Sequence, residues 1–231
     1  MLFCTIAVVA AMVCGRLGFW QVARHREKVQ RNAIVQRQQR ENPVTVGLMP
    51  RDPAEAHYRP VLASGRYDYE HELVLSNRTH QGSPGAELLT PMRLAGSDTA
   101  ILVNRGWVYA PDGASVDHAR WRESESASVV GYAQLYSADA GTTTAAADPR
   151  IVRRVSRSEI ASKIPYPVAP YYLVQVDTAA RPDRPARRPW PSLDEGPHRG
   201  YAMQWFAFGV IALVGAGVVV MKERAEGKGG N

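Results

Sequence analysis

From Tyr201 to Met221 the chain carries no charged residue. As a helix, a run of that length reaches across the roughly 30 Å hydrocarbon core of a bilayer, where every backbone polar group must be bonded within its own segment. The run therefore dictates a transmembrane helix over residues 201–221. Tyr201 and Trp205 suit the interface belt, and Gly209, Gly215, Ala216 and Gly217 let another helix come close. A second candidate occupies residues 1–20: an apolar stretch from Leu2 to Cys14, then Arg16, then Leu17, Gly18, Phe19 and Trp20. No basic residue precedes it and no A-x-A pattern closes it, so it reads as an uncleaved anchor with Arg16 snorkelling to the interface. Lys222, Arg224 and Lys228 in the 222–231 tail favour a cytoplasmic C-terminus. Two spans then place both termini in the cytoplasm and the intervening stretch, about 21–198, on the outer face of the cell (inner) membrane. Arg16, Arg24, Arg26, Lys28 and Arg31 follow the first span against the positive-inside tendency, which weakens for long translocated segments.

Residues 21–41 are rich in Arg, Gln and Glu without Gly or Pro, so the first helix is expected to continue beyond the membrane until Pro43 stops it. The pattern then changes to short β-type runs punctuated by Gly, Pro, Asn and Asp: Val61 to Tyr67, Glu72 to Asn77, Ala86 to Leu94, Ala100 to Val108, Ser128 to Tyr136 and Tyr171 to Asp177. Residues 137–149 read as a loop, and Ser156 with Glu159 three residues on reads as the capped start of a short helix. A Pro/Arg-rich connector over 181–200, extended and unpacked from Arg181 to Pro197, leads back to the membrane. The expected fold is α+β: a mainly antiparallel sheet or partial barrel over 42–180 between two terminal transmembrane helices.

The formal net charge is +6, but the basic residues gather beside the apolar ends rather than interleaving with aromatics on one face. That placement fits membrane lipid and argues against nucleic acid. Cys4 and Cys14 are the only cysteines and both lie in the first apolar run, so the central domain holds itself together by packing alone. Neither G-x-S-x-G, H-E-x-x-H, a phosphate-binding glycine loop nor C-x-x-C occurs, and the chain is not expected to be an enzyme.

Three segments spread along the chain carry a resemblance. They are Leu17-Gly18-Phe19-Trp20-Gln21 followed by Arg24 and Lys28, then Val103-Asn104-Arg105-Gly106-Trp107-Val108, and finally Tyr201-Ala202-Met203-Gln204-Trp205-Phe206. In this order, with Gly65-Arg66-Tyr67, Arg78 and Thr90-Pro91 between them, they resemble the surfeit locus protein 1 family over nearly the whole chain. The resemblance implies a β-rich domain outside the membrane between two spans, and a role in assembling haem–copper cytochrome c oxidase. Haem a is the implied cofactor, held transiently, and the large subunit of the oxidase is the implied partner. The chain departs from the family pattern at Arg199 and Gly200, and again at Arg154, Val155 and Ser158, where the family tends to place a Trp and an Asp ahead of the short helix.

The residues can also be read by themselves. On a helix, Trp20, Arg24 and Lys28 share a face, and two like charges side by side invite an anion. That anion is lipid phosphate on one reading, and haem propionates or an acidic patch of the oxidase on the other. His198 lies three residues before Tyr201 and seven before Trp205, so a helix starting early presents an imidazole beside two aromatic rings, a set that suits haem iron and porphyrin. The other reading is an interfacial histidine without metal. Asn104-Arg105-Gly106-Trp107 is expected to close its strand and turn back, with Gly106 at positive φ. Arg105 there either braces a buried carboxylate, with Trp107 filling the core, or joins Asn104, Trp107 and Gln204 in contacting a partner.

Overall fold

The structure is a computed structural model that describes residues 2–139, 148–177 and 181–228. Much of the expected 137–149 loop, the end of the 42–180 domain and the last tail residues lie outside the described residues. The chain divides into two compact units: Met1–Gln36 with Leu193–Asn231, and Arg37–Ser192.

The first unit is a pair of antiparallel helices, α1 (Leu2–Gln39) and α4 (His198–Lys228). Both are long and apolar enough to cross a membrane, α1 over Leu2–Gln39 and α4 over His198–Lys222. The expected extension is thus continuous with the first span and stops before Pro43. Along α1 the inward residues are Ala7, Ala11, Cys14, Gly18, Gln21, His25, Lys28, Asn32 and Val35, alternating by four and three, the 3.5-residue repeat of a helix–helix seam. Small residues let the helices close in the apolar half. A Cβ at Gly18 would lie 2.6 Å from the Phe206 ring, and one at Gly209 3.5 Å from Cys14 and Ala11. Phe19 packs edge-on against Phe206 at 5.3 Å. The outward faces are apolar, with Met12, Phe19, Val210, Ile211 and Val218 exposed, as a lipid-facing surface requires.

The second unit is an eight-stranded sheet in the order β1-β2-β6-β8-β5-β4-β3-β7. Its strands are β1 (Val44–Thr45), β2 (Pro60–Tyr67), β3 (Leu73–His80), β4 (Ser83–Leu94), β5 (Ala100–Tyr109), β6 (Ser126–Leu135), β7 (Ile151–Val152) and β8 (Tyr171–Gln175). All the strands read from the sequence are present, and the two-residue β1 and β7 are additions too short for a period to show. An extra pairing of Gly65 to Tyr67 with Leu94 to Met92 joins β2 to β4, so β2, β6, β8, β5 and β4 close into a barrel. Alternation decides what fills it: Val61, Ala63, Tyr67, Met92, Ile101, Val103, Ala133, Tyr171 and Leu173 form one buried cluster. A one-turn helix, α2, spans Pro53–Ala56. A second cluster, Leu73, Leu75, Leu89, Leu102, Val152 and Val155, packs beneath Ile160 of α3 (Arg157–Lys163). Burying each such Leu or Ile stabilises by about 1.5–3 kcal/mol before entropy is counted.

Two expectations are corrected. Ser156 is the N-cap of α3 but makes no side-chain cap bond; Asp139 accepts instead from the Ser158 amide at 3.3 Å and its hydroxyl at 2.5 Å. The connector from Arg181 is not an unpacked tether, because residues 181–192 dock on the sheet. Ala186 and Trp107 exchange both backbone hydrogen bonds, at 2.7 and 2.8 Å, and Arg188 bridges Val176. Extended proline-rich backbone can extend a sheet when the residues that need an N–H, here Ala186, lie between the prolines Pro185 and Pro189.

Candidate functional site

Two polar clusters stand out, one in each unit. In the sheet unit, the segment expected to turn back does not: β5 runs on to Tyr109, and the register passes from Leu88↔Gly106 to Leu89↔Asn104. Arg105 is thus the extra residue of a β-bulge, which re-aims its side chain into the protein. Gly106 has φ +114°, and a Cβ there would stand 2.3 Å from the Ala186 carbonyl, so the docked segment demands glycine.

The Arg105 guanidinium is fully buried. Its Nη1 donates to Glu72 at 2.7 Å and to Thr90 at 3.4 Å; Nε and Nη2 donate to Glu123 at 3.3 and 3.2 Å, and Nη2 also to the Trp121 carbonyl. It lies 5.0 Å from the Tyr69 ring centre and 5.4 Å from that of Tyr67. Burial pushes the Tyr67 hydroxyl far above the ordinary phenol range, against the opposing pull of Arg105. Glu72, itself buried, accepts from Thr90 at 2.5 Å and from His118 Nδ1 at 2.7 Å. Arg187, 6% exposed, closes the cluster by binding Glu123 and the Arg105 carbonyl. Asn104, also buried, donates to Glu87 at 2.8 Å, and Arg188 holds the same carboxylate at 2.7 Å. The bracing reading of Arg105 is the one the geometry realises, since Asn104 and Arg105 offer no surface to a partner as folded. Trp107 does not fill the core; it is half-buried, with its indole N–H on the Arg78 carbonyl at 3.1 Å.

In the helix unit the polar half of the α1 seam meets the start of α4. His198 Nδ1 is 2.7 Å from Gln21 Oε1, Asn32 donates to the Leu193 carbonyl at 2.6 Å, and His25 Nε2 lies 3.9 Å from Glu195. Lys28 packs against Gly196, where a Cβ would be 2.9 Å from its Nζ. An amide oxygen only accepts, so Nδ1 of a neutral His198 carries the proton and Nε2 keeps its lone pair. This is the arrangement in which histidines ligate metals, the second nitrogen anchored by an acceptor.

Of the residues singled out in the sequence, His198 and Lys28 come together here. Trp20 and Arg24 face outward, with Arg24 5.8 Å over the Trp20 ring and bound to Glu27 at 2.8 Å. Tyr201 and Gln204 are exposed, and Trp205 is half-buried with its ring 6.1 Å from Phe208. The 20–24–28 spacing finds a face, but the face turned to the 193–198 stretch that leads into α4 is Gln21–His25–Lys28–Asn32. Gln21 and His25 were missed; the signal for them is the continuation of the Ala7–Cys14–Gly18 repeat into polar residues. Among the described residues no group of three or more His, Cys, Asp or Glu side chains is placed to hold a metal ion.

A protein-family model described as the SURF1 family matches residues 8–210. Among curated relatives, an uncharacterized SURF1-like protein of Mycobacterium tuberculosis is 25% identical over 88% of this chain and 76% of its own length. A SURF1-like protein of Monosiga brevicollis is 29% identical over 45% of this chain and 43% of its own. Surfeit locus protein 1 of Gallus gallus is 30% identical over 40% of this chain and 35% of its own, so the match spans less than half of the choanoflagellate and chicken proteins. With the family model matching most of α1, the whole barrel and the start of α4, the chain belongs to the SURF1 family.

Proposed function

We propose that this protein is a non-enzymatic assembly factor of haem–copper cytochrome c oxidase that receives haem a at the head of its helix pair and stabilises the oxidase large subunit while the haem is inserted. The family is known in general for cytochrome oxidase assembly. The observation that carries the haem reading is the 2.7 Å contact between His198 and Gln21, which in a neutral imidazole would leave Nε2 with its lone pair. His198 would hold the haem through its imidazole, Tyr201 and Trp205 would pack against the ring, and Lys28 would meet a propionate, with Trp20 and Arg24 extending the surface. When bound, haem would supply an iron centre able to take an imidazole ligand. The chain's own residues bind and orient it, and Gln21 holds the proton on Nδ1. Both termini would lie in the cytoplasm and the barrel on the outer face, with lipid around the helices and the oxidase subunit against Gln204 and the exposed edge of Trp107.

Two measurements test this. Membranes of a strain lacking the protein are expected to lose most of the haem a absorbance and oxidase activity; normal activity there overturns the assembly role. Protein purified from cells that make haem a is expected to show a haem spectrum that His198→Ala abolishes. Haem-free protein that still co-purifies with the oxidase subunit would overturn the haem reading in favour of a cofactor-free scaffold.

A further inference from the structure

Against the side of the barrel lies a cavity of about 800 Å³, within the range of small-molecule sites. Five pieces of chain line it: the 45–51 segment, β2 at Leu62 and Ser64, the β4–β5 turn from Leu94 to Thr99, α3 at Arg157, and the entry to β8 at Ala169 to Tyr171. Its floor is apolar and continuous with the barrel interior, because Met49, Ala169 and Tyr171 belong to the same buried cluster as Val61 and Leu173. Val46, Leu62 and Leu94 extend that surface outward, half-exposed. The only charged residues in the lining are Arg51 and Arg157, both exposed on the rim, and no carboxylate lines the cavity. Among the described residues neither arginine makes an ion pair, whereas Arg105, Arg187 and Arg188 all do.

An apolar floor under a rim of one sign selects for a molecule with an apolar body and an opposite charge at its end. The hydroxyls of Ser64, Ser97 and Thr99 add hydrogen-bond donors near the same rim. A wholly apolar ligand would leave two guanidinium groups unused, and a small anion would leave the floor bare. We propose that this cavity binds a single-chain anionic amphiphile of the long-chain carboxylate class, with the chain on Met49, Leu62, Leu94 and Tyr171 and the carboxylate between Arg51 and Arg157. The site is built wholly within the sheet unit and does not depend on the haem reading.

The test uses the full chain in phosphatidylcholine nanodiscs and a photoactivatable diazirine analogue of palmitic acid, with adducts mapped by mass spectrometry. Adducts are expected on peptides carrying Met49, Leu62 or Tyr171, competed by excess palmitate and not by hexadecanol. Arg51→Glu with Arg157→Glu should cut them at least tenfold with the thermal midpoint unchanged, both positions being exposed. Ala95→Trp, which fills the cavity from an exposed position, should cut them as well. Adducts confined to the two terminal helices overturn the proposal. Cavity adducts that survive charge reversal, or that hexadecanol competes as well as palmitate does, overturn the requirement for an anion and the proposal with it.

Discussion

The two polar clusters use similar side chains for opposite ends. Around Arg105 every guanidinium nitrogen is matched to an oxygen and the side chain is wholly enclosed. Around His198 the Gln21, His25 and Lys28 side chains are half-exposed, and a neutral imidazole bonded to Gln21 through Nδ1 would keep a lone pair on Nε2. A saturated buried network has nothing left to offer a ligand; its loss is felt as instability. A half-satisfied cluster at a boundary costs little to disturb, and what changes on disturbing it is binding. Arg105 and Gln21, the partner of His198, both belong to motifs that carry the family resemblance, so motif membership alone does not tell these roles apart; burial does.

The largest effect that could break this contrast is at Arg105. Arg105→Met leaves buried Glu72 with Thr90 and His118 but no guanidinium, and Glu123 with Arg187, and should destabilise the sheet unit by about 3–5 kcal/mol. Arg105→Lys should rescue little, because one ammonium has three donors where the guanidinium has five in a fork. Denaturant unfolding of the full chain, followed by near-ultraviolet circular dichroism of the sheet-unit aromatics, checks both. A fully stable Arg105→Met protein with weakened oxidase binding would reverse the assignment. The next effect is at Arg187, where alanine removes the bonds to Glu123 and the Arg105 carbonyl and should cost about 2 kcal/mol. Faster proteolysis within residues 181–192 would accompany it, since this arginine helps hold that segment to the sheet.

How much of this was legible beforehand follows from which forces are local. The two long apolar helices were, because an apolar run of membrane-spanning length bonds its backbone within its own segment. So were the main strands, whose alternation and Gly/Pro punctuation lie within a few residues of each other. The bulge at Arg105 was not: its cause is Glu72, thirty-three residues away, and no local pattern shows a carboxylate waiting in the core. Composition misjudged the docked 181–192 segment, since its partners Glu87, Glu123 and Trp107 are all distant in the chain. At the helix pair, His198 was singled out beside its aromatic neighbours, but Gln21 was passed over for the 20–24–28 face. Only the heptad continued from Ala7 shows which side of α1 meets α4.

On the other side of the comparison, Gln21→Leu should change stability by under about 1 kcal/mol, the worth of one partly exposed hydrogen bond. Its effect should appear instead in the imidazole. Nitrogen-15 chemical shifts of His198 in the haem-free full chain are expected to show the proton on Nδ1, and Gln21→Leu should move the population toward Nε2–H. Gln21→Glu, which still accepts, should keep it on Nδ1. An unchanged tautomer in the leucine variant would mean that Gln21 only pins the helix register.

The smallest effect expected is at Arg24, and it sharpens the contrast because Arg24 is charged, conspicuous and part of the same motif. Its guanidinium meets Glu27 one turn on and the exposed Trp20 ring, with the Arg24 and Glu27 side chains more than half exposed. An i, i+3 pair in that setting contributes about 0.3 kcal/mol, and salt screens most of it. Arg24→Ala should therefore leave the unfolding midpoint within error and leave the His198 tautomer untouched, because Arg24 stands off the seam that Gln21, His25 and Lys28 occupy. If haem retention by the full chain falls in this variant while both of those stay constant, Arg24 acts on the ligand directly; if the tautomer moves with it, the outward face and the seam form one electrostatic unit, and the division between them drawn from burial is too sharp.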